Sequence, residues 1–473
     1  MMFRERLARR RKRIAGAHSG RNAMRGIAIL ATGILLTGCV SSPGTSGNNQ
    51  PPPTYPFPAA NTLQFVHEFG TNTTTADMTV PGDAITGLQT DGSGNLLLAG
   101  YTRGNLPGYS APAEITKGTL YKFDASGNQI WAKELTTGAG DGLNGIAVTA
   151  SGIFVVGDTA GTYPGASNPN GIDEAFVAKY DTSGNQLWLK QYSSSRGVMP
   201  VTLCADSSGD LIFAGVISNS AGGTNLFVQK VDSSGNTVWQ ETYGNEASDL
   251  MGSVAVDASG NIYLAGLTVG AFPGLPIASV TTSTNIMPFI LKLDGGTGST
   301  VWLEQFTGDS SLATFYPASV QIAPGEKLDV LGQTGSATNA QGIVVMQLDA
   351  ATGSMLWQVP FGNGEFSDAG QLAVDSSGNI YAAGTTTSAL ASGVTSTQDV
   401  FLAKIGPGGQ EIWAQQFGTG LDESSFSIDD YSAPVYLSLG NQIAFVGGMT
   451  LGQFQGFSNP NRNVNLFLAK FGQ

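Results

Sequence analysis

Beyond about residue 61 the chain alternates short apolar runs with joints rich in Gly, Asn and Ser. Residues 369–418 show the unit: AGQLAVDSSGNIYAAGTTTSALASGVTSTQDVFLAKIGPGGQEIWAQQFG. Four runs in it, QLAVD, NIYAAG, DVFLAKI and EIWAQQF, have alternating or continuous apolar positions rich in Val, Ile, Phe and Tyr. That is the pattern of strands buried on one or both faces. The first and second runs are joined by Ser-Gly-Asn and the third and fourth by Gly-Gly. Both joints are short enough for hairpin turns, in which Gly supplies the positive φ. The spacing predicts four antiparallel strands in series.

The unit recurs. Its first joint reads DGSGN (91–95), TASGI (149–153), DSSGD (206–210), DASGN (257–261), APGEK (323–327), DSSGN (375–379) and LGNQ (439–442). The third run reads TLYKFD, AFVAKYD, LFVQKVD, FILKLD, IVVMQLD, VFLAKIG and LFLAKFG. The fourth run carries Trp131, Trp188, Trp239, Trp302, Trp357 and Trp413, at gaps of 57, 51, 63, 55 and 56 residues. Seven third runs thus meet six Trp-bearing fourth runs. The missing one lies at the other end: NTLQFVHEFG (61–70) matches QEIWAQQFG, with Phe65 at the Trp position. A fixed period of this size with four strands per unit predicts an all-β, seven-bladed β-propeller of four-stranded antiparallel blades. It would span residues 61–473, its ring closed by the N-terminal strand, which removes two exposed sheet edges. The Trp side chains are expected to lock blade to blade by burying aromatic area.

The elements D-x-S-G-N-I/V-Y-x-A-G-x-T, D-x-F-x-A-K and D-x-S-G-N-x-x-W stand intact in 375–413 and nearly intact in 257–302. The repeat resembles the seven-bladed β-propeller repeat (SBBP) family, and the resemblance covers essentially the whole chain after residue 60. It implies an exported or surface bacterial protein more than any particular activity. The fifth unit, with APGEK, departs most from the pattern, and the seventh lacks the Trp. LDGGTGSTVW and LDAATGSMLW also look like the repeat of quinoprotein propellers, but those have eight blades, and no quinone-binding set is evident here.

Residues 1–38 read as a signal peptide: a basic start, RERLARRRKR, then IAILATGILLTG. A membrane span needs roughly 20 apolar residues, so this shorter run is a signal h-region. Leu36-Thr37-Gly38-Cys39 looks like a lipobox, in which Cys39 is acylated, palmitate being one expected acyl group, and becomes the mature N-terminus. The alternatives are a buried helix with a stray Cys and, from Arg9-Arg10-Arg11, a twin-arginine signal with poor flanks. Met24 is an alternative start to Met1. Val40, rather than Asp, leans towards the outer membrane over the inner. Residues 39–60 add Ser, Gly, Asn and Pro to the lipidated Cys, the composition of a solvated tether. Lipid would be the only attachment to the membrane.

Charge narrows the partners. The whole chain carries −13, and residues 1–38 hold nine Lys or Arg against one acid, so the remainder carries −21. Such a surface repels nucleic acid. Cys204, the one cysteine besides Cys39, has no partner for an intrachain disulfide and reads as a small buried hydrophobe.

Catalytic motifs are missing. Beyond the signal region His67 is the one histidine, and G-x-S-x-G, HExxH and CxxC do not occur. Paired carboxylates stay open as a glycosidase device, though no spacing singles out a pair. The tight turns share one face of the disc, so the long connections share the other: 101–118, 158–174, 267–287 and 450–465. Loops of variable length on a rigid scaffold commonly carry recognition. Arg103, Tyr109, Tyr163, Phe272 and Arg462 are the expected partner anchors, alongside Phe454 and Phe457; the alternative is that the aromatics pack the loops down. Asp141, Asp249, Asp309, Asp368 and Asp422 precede innermost strands. They could form an acidic ring for Ca²⁺, or each could cap its own turn. The expected function is a non-enzymatic, lipid-anchored binding or scaffolding propeller in the bacterial envelope, with a protein or glycan partner. The alternatives are an outer-membrane assembly factor and an enzyme acting on extracellular glycans.

Overall fold

Seven four-stranded antiparallel sheets are present in the computed structural model of the chain. It describes residues 62–71, 82–110, 115–169, 171–244, 248–269, 272, 286–306, 315–334, 342–361, 367–386, 399–418, 425–426, 431–432, 435–440, 443–450 and 465–472. Blade 1 consists of Asp83–Thr90, Leu96–Thr102, Lys117–Phe123 and Gln129–Leu135, innermost strand first. Blades 2 to 6 repeat this order from Asp141, Val198, Asp249, Phe315 and Ser367. Blade 7 takes three strands from the C-terminal side, Tyr436–Gly440, Ile443–Thr450 and Asn465–Gly472. Its outermost strand is the N-terminal Thr62–Phe69. The protein is therefore a seven-bladed β-propeller, and no helix occurs among the described residues.

Register confirms the alignment of repeats. Lys122, Lys179, Lys230, Lys292, Gln347 and Lys404 stand opposite Trp131, Trp188, Trp239, Trp302, Trp357 and Trp413. In blade 7 Lys470 stands opposite Phe65, so the N-terminal strand occupies the Trp-strand position. A β-bulge precedes each of these positions and sets the preceding residue outside the ladder. That is why Ile130, Leu187, Val238, Val301 and Leu356 are about half exposed although aliphatic.

Five of the six Trp side chains reach a turn of the next blade. Gly184, Gly235, Gly298, Gly353 and Gly409, in the turns between third and outermost strands, lie over the indoles of Trp131, Trp188, Trp239, Trp302 and Trp357. Their φ values of +75° to +85° and the ring's closeness both exclude a side chain. The indole N–H of Trp131, Trp239 and Trp302 donates to carbonyls in those turns, at Thr182 (3.3 Å), Gly295 (3.1 Å) and Ala350 (3.2 Å). The facing lysines reinforce the latch: Lys122 donates to Thr182 O and Lys292 to Ala350 O. Lys470 does the same across the closure, to Ala125 O of blade 1 at 2.8 Å. Lys122 and Lys230 also pair with the first-turn aspartates Asp91 (3.0 Å) and Asp206 (2.7 Å).

Neighbouring innermost strands are also stitched by side-chain-to-backbone hydrogen bonds. Thr86 Oγ1 donates to Leu143 O, Asn144 Nδ2 to Pro200 O, and Thr90 Oγ1 to Leu439 O across the closure. Val320 N donates to Ser253 Oγ, Leu372 N to Ser319 Oγ, and Leu437 N to Gln371 Oε1. The second-strand glycines of the Ala-Gly signature sit where an inner-strand bulge brings a carbonyl close. A Cβ on Gly100, Gly157, Gly215 or Gly266 would overlap the carbonyl oxygen of Ala84, Gly142, Met199 or Leu250. The apolar core is accordingly a set of layers between blades, such as Leu97, Leu120, Leu143 and Ile153 between blades 1 and 2. Cys204 lies in it, on the innermost strand of blade 3, buried as expected.

Candidate functional site: the long-loop face

The long connections leave the second strand of a blade through a repeated segment, T-x-G-x-(L/Y/F)-P-G. It occurs at 102–108, 159–165 and 268–274. In the first two copies Pro-Gly forms a tight turn. Tyr109 N donates to Leu106 O, and Ala166 N to Tyr163 O, both at 3.0 Å, with Gly108 and Gly165 at φ +87° and +83°. Pro at the second position and a positive-φ Gly at the third are what a type II turn requires. The turn drives the residue before Pro inward, with Leu106 5% and Tyr163 7% exposed, and Phe272 is buried too at 5%.

The outermost strand holds these plugs. The backbone N–H of Leu106 donates to Glu134 Oε2 (3.0 Å), that of Tyr163 to Gln191 Oε1 (3.0 Å), and that of Phe272 to Gln305 Oε1 (3.4 Å). Each acceptor lies three residues after its blade's Trp. Gln191 Nε2 continues to Glu174 Oε2 at 2.8 Å and to Gly161 O at 3.0 Å. In blade 1 the fully buried Lys117 takes the equivalent place and donates to Gly104 O (2.6 Å) and Arg103 O (3.1 Å). Burial lowers its pKa, against the raising influence of Glu134 and Asp83. Ring contacts complete the plugs: Tyr163 lies 4.9 Å from Phe176 and Phe272 5.0 Å from Phe289.

Two of the expected anchors are buried. Tyr163 and Phe272 pack into their blades, each with its backbone N–H held by a Gln of the outermost strand, and Tyr163 beneath a Pro-Gly turn. Tyr109, one residue beyond the turn, remains 38% exposed. Arg103 is half-buried, and its backbone is committed at both ends: its N–H donates to Gly82 O and its carbonyl accepts from Lys117. Arg462, Phe454, Phe457 and Cys39 lie outside the described residues. The plug segment was legible as a recurrence of Pro-Gly after an apolar residue.

Two of the inner aspartates are buried as well. Asp141 is 1% exposed and accepts from Thr136 Oγ1 (3.0 Å), Thr137 N (2.6 Å) and Thr137 Oγ1 (3.0 Å). Asp83, its counterpart in blade 1, accepts from Thr71 N (2.7 Å), Thr71 Oγ1 (2.9 Å) and Thr102 Oγ1. Burial raises the Asp83 pKa, with the hydrogen bonds pulling it down. Asp249 is wholly buried at the same strand position in blade 4, and Asp368 half-buried in blade 6. Asp309 and Asp422 lie outside the described residues. Asp141 thus caps its own blade connection. Among the described residues no group of three or more His, Cys, Asp or Glu side chains is placed to hold a metal ion. His67 stands on the outermost strand of blade 7, opposite Leu468.

The tight-turn face is chemically self-contained. Asp124 Oδ1 accepts from Ser126 N and Asn128 N, and Oδ2 from Asn128 Nδ2. The same set recurs at Asp181, Asp232, Asp257 and Asp375. The DxSGN segments are hairpin turns, as expected. A polar cavity of about 110 Å³ opens between blades 4 and 5 beside Asp257, Lys292 and Glu326. Its lysine is already bound to Ala350 O. Blade 5 is the variant one. Where other blades place a lysine over a ring, as Lys292 over Tyr263 at 5.0 Å, blade 5 has Gln347 facing Asp329. Gln347 Nε2 donates to Asp329 Oδ1 at 2.7 Å and its Oε1 accepts from Trp357 Nε1 at 3.1 Å. The other Asp329 oxygen is buried without a hydrogen-bond partner among the described residues.

Several solved structures are similar to the chain. A protein of unknown function from Bacteroides caccae matches 64% of this chain and 91% of its own at 13% identity, with a TM-score of 0.39. A protein of unknown function from Dyadobacter fermentans DSM 18053 matches 69% of this chain and 93% of its own at 9% identity, TM-score 0.44. The β-propeller domain of the Trilobed protease from Pyrococcus furiosus matches 77% of this chain and 91% of its own at 10% identity, TM-score 0.42. No protein-family model and no curated protein sequence matches the chain.

Proposed function

We propose that the chain is a non-enzymatic binding or scaffolding propeller, anchored to the bacterial envelope through Cys39, that recognises a protein or glycan partner on its long-loop face. The observation that carries this reading is the contrast between the two faces. On one, the Asp-led turns use their carboxylates for their own backbone. On the other, the loops of blades 1 and 2 are fastened from beneath by buried plugs and clamps, while residues such as Tyr109 stay exposed. Loops held rigid in this way lose little freedom on binding, which favours affinity. The lipobox-like Leu36-Thr37-Gly38-Cys39 and the SBBP-like repeat support the location.

The test uses residues 59–473 as bait against detergent-solubilised envelopes and an immobilised glycan panel. The ligand it retains is then titrated against Tyr109→Ala and Ser377→Ala. Binding should weaken with Tyr109→Ala, at an unchanged melting temperature, and persist with Ser377→Ala. Loss with Ser377→Ala alone would place recognition on the other face. Cys39→Ala should abolish incorporation of labelled fatty acid, and equal labelling would sink the anchor.

A further inference from the structure

We propose that the tight-turn face is the side turned towards the anchoring bilayer, so that the long-loop face is presented away from it. The proposal rests on the Cys39 anchor and adds an orientation that the anchor alone does not supply. Strand direction distinguishes the faces. Lys117–Phe123 ends at the Asp124–Asn128 turn, and Gln129–Leu135 runs back from it. Every third strand therefore runs towards the tight-turn face, and every outermost strand starts there.

In blade 7 this turn is replaced by two separate stretches of chain, since Thr62 pairs with Gly472. The N-terminal strand thus enters at the tight-turn face and runs to Phe69, after which Thr71 meets the blade 1 cap at Asp83. Whatever precedes Thr62 joins the propeller on that face. Only residues 40–61 separate Thr62 from Cys39. The closure latch fixes the entry point rigidly, because Lys470 is bound to Ala125 in the neighbouring turn of blade 1. The tight-turn face also carries the half-buried Asx-turn carboxylates Asp124, Asp181 and Asp232, which anionic headgroups would repel. Tethering, and not adhesion, is what holds this face near the lipid, and zwitterionic vesicles isolate that effect.

The experiment uses the full lipidated protein in phosphatidylcholine vesicles that contain an acceptor fluorophore on a lipid headgroup. Single donors are placed through Ser126→Cys and Ser377→Cys on the tight-turn face, and through Ser110→Cys and Thr162→Cys on the long-loop face. All four serines and threonines are exposed, and buried Cys204 stays unlabelled in the folded protein. Donors at 126 and 377 should lose more fluorescence to the lipid acceptor than donors at 110 and 162. Equal or reversed losses in vesicles that carry the protein would overturn the orientation alone. Failure of the protein to float with the vesicles, or flotation of Cys39→Ser equal to that of the parent, would overturn the anchor and the orientation with it.

Discussion

Asp329 has the most unusual environment of any described carboxylate. Burial pushes its pKa up to about 7, against the lowering influence of the Gln347 hydrogen bond and the Lys327 charge. The unfolded chain releases this proton near pH 3.9. Between about 4 and 7 the folded state therefore holds more protons than the unfolded one, and stability falls as pH rises through that window. The contribution is whole below about 4 and gone above the folded pKa. From pH 5 to 7 the loss should be on the order of 2–3 kcal/mol. Asp329→Asn, which keeps the shape, should flatten the change when denaturant midpoints are compared at those two pH values. An unchanged slope would show that the carboxylate is not protonated in the fold. The second-strand glycines make a prediction of another kind. Gly157→Ala would drive a methyl into the Gly142 carbonyl and the Phe176 ring, whereas Gly92→Ala would enter open space at ordinary φ. Thermal melts should show a loss of roughly 1–3 kcal/mol for the first and little for the second.

At the level of the strand, the sequence pattern placed all six Trp residues on outermost strands and Phe65 at their counterpart, because period-two alternation and turn glycines are local signals. The bulges beside them were not legible. A bulge is a property of two paired strands, and nothing in NQIW or NTVW announces that Ile130 or Val238 leaves the ladder. The burial of Tyr163 and Phe272 was hidden in the sequence for a related reason. An aromatic in a loop looks available until the Gln on the outermost strand is known to capture its backbone. These distinctions are measurable. Trp239→Ala removes the indole from Gly298 and the hydrogen bond to Gly295, and should cost roughly 3 kcal/mol. Val238→Ser, one residue away on the bulge, should stay within about 0.5 kcal/mol. Similar effects from both would mean that the Trp latch does not hold the blades.

For the whole molecule, seven near-equal blades leave one seam, and its chemistry differs from the other six. There the connection between third and outermost strands is made by hydrogen bonds alone, from Thr62–Gly472 to Phe69–Leu466. Phe69 extends the seam into blade 1, with ring centroids 5.3 Å from Tyr121 and 4.9 Å from Phe123. Deleting residues 61–70 should cost at least about 3 kcal/mol for that aromatic contact, with the strand pairing in addition. Deleting 40–60 should leave the melting temperature nearly unchanged. If both deletions proved harmless, the seam would not be what closes the ring. Closure was legible from the mismatch between seven third strands and six Trp strands, a count that needs no structure. The hydrogen bonds between inner strands were not, since Thr86, Asn144 and Ser253 share no residue type.

The same seam sets a clock on biosynthesis. Thr62 and its partner Gly472 are 410 residues apart in the chain. At roughly 5–20 residues per second, about 20–80 s separate the emergence of the first strand from that of its partner. Throughout that interval Thr62–Phe69 is an unpaired strand, and the growing arc of blades carries an open edge at each end. Such edges invite pairing with other chains. The period of greatest risk for this protein therefore falls before the ring exists, and synthesis sets its shortest length.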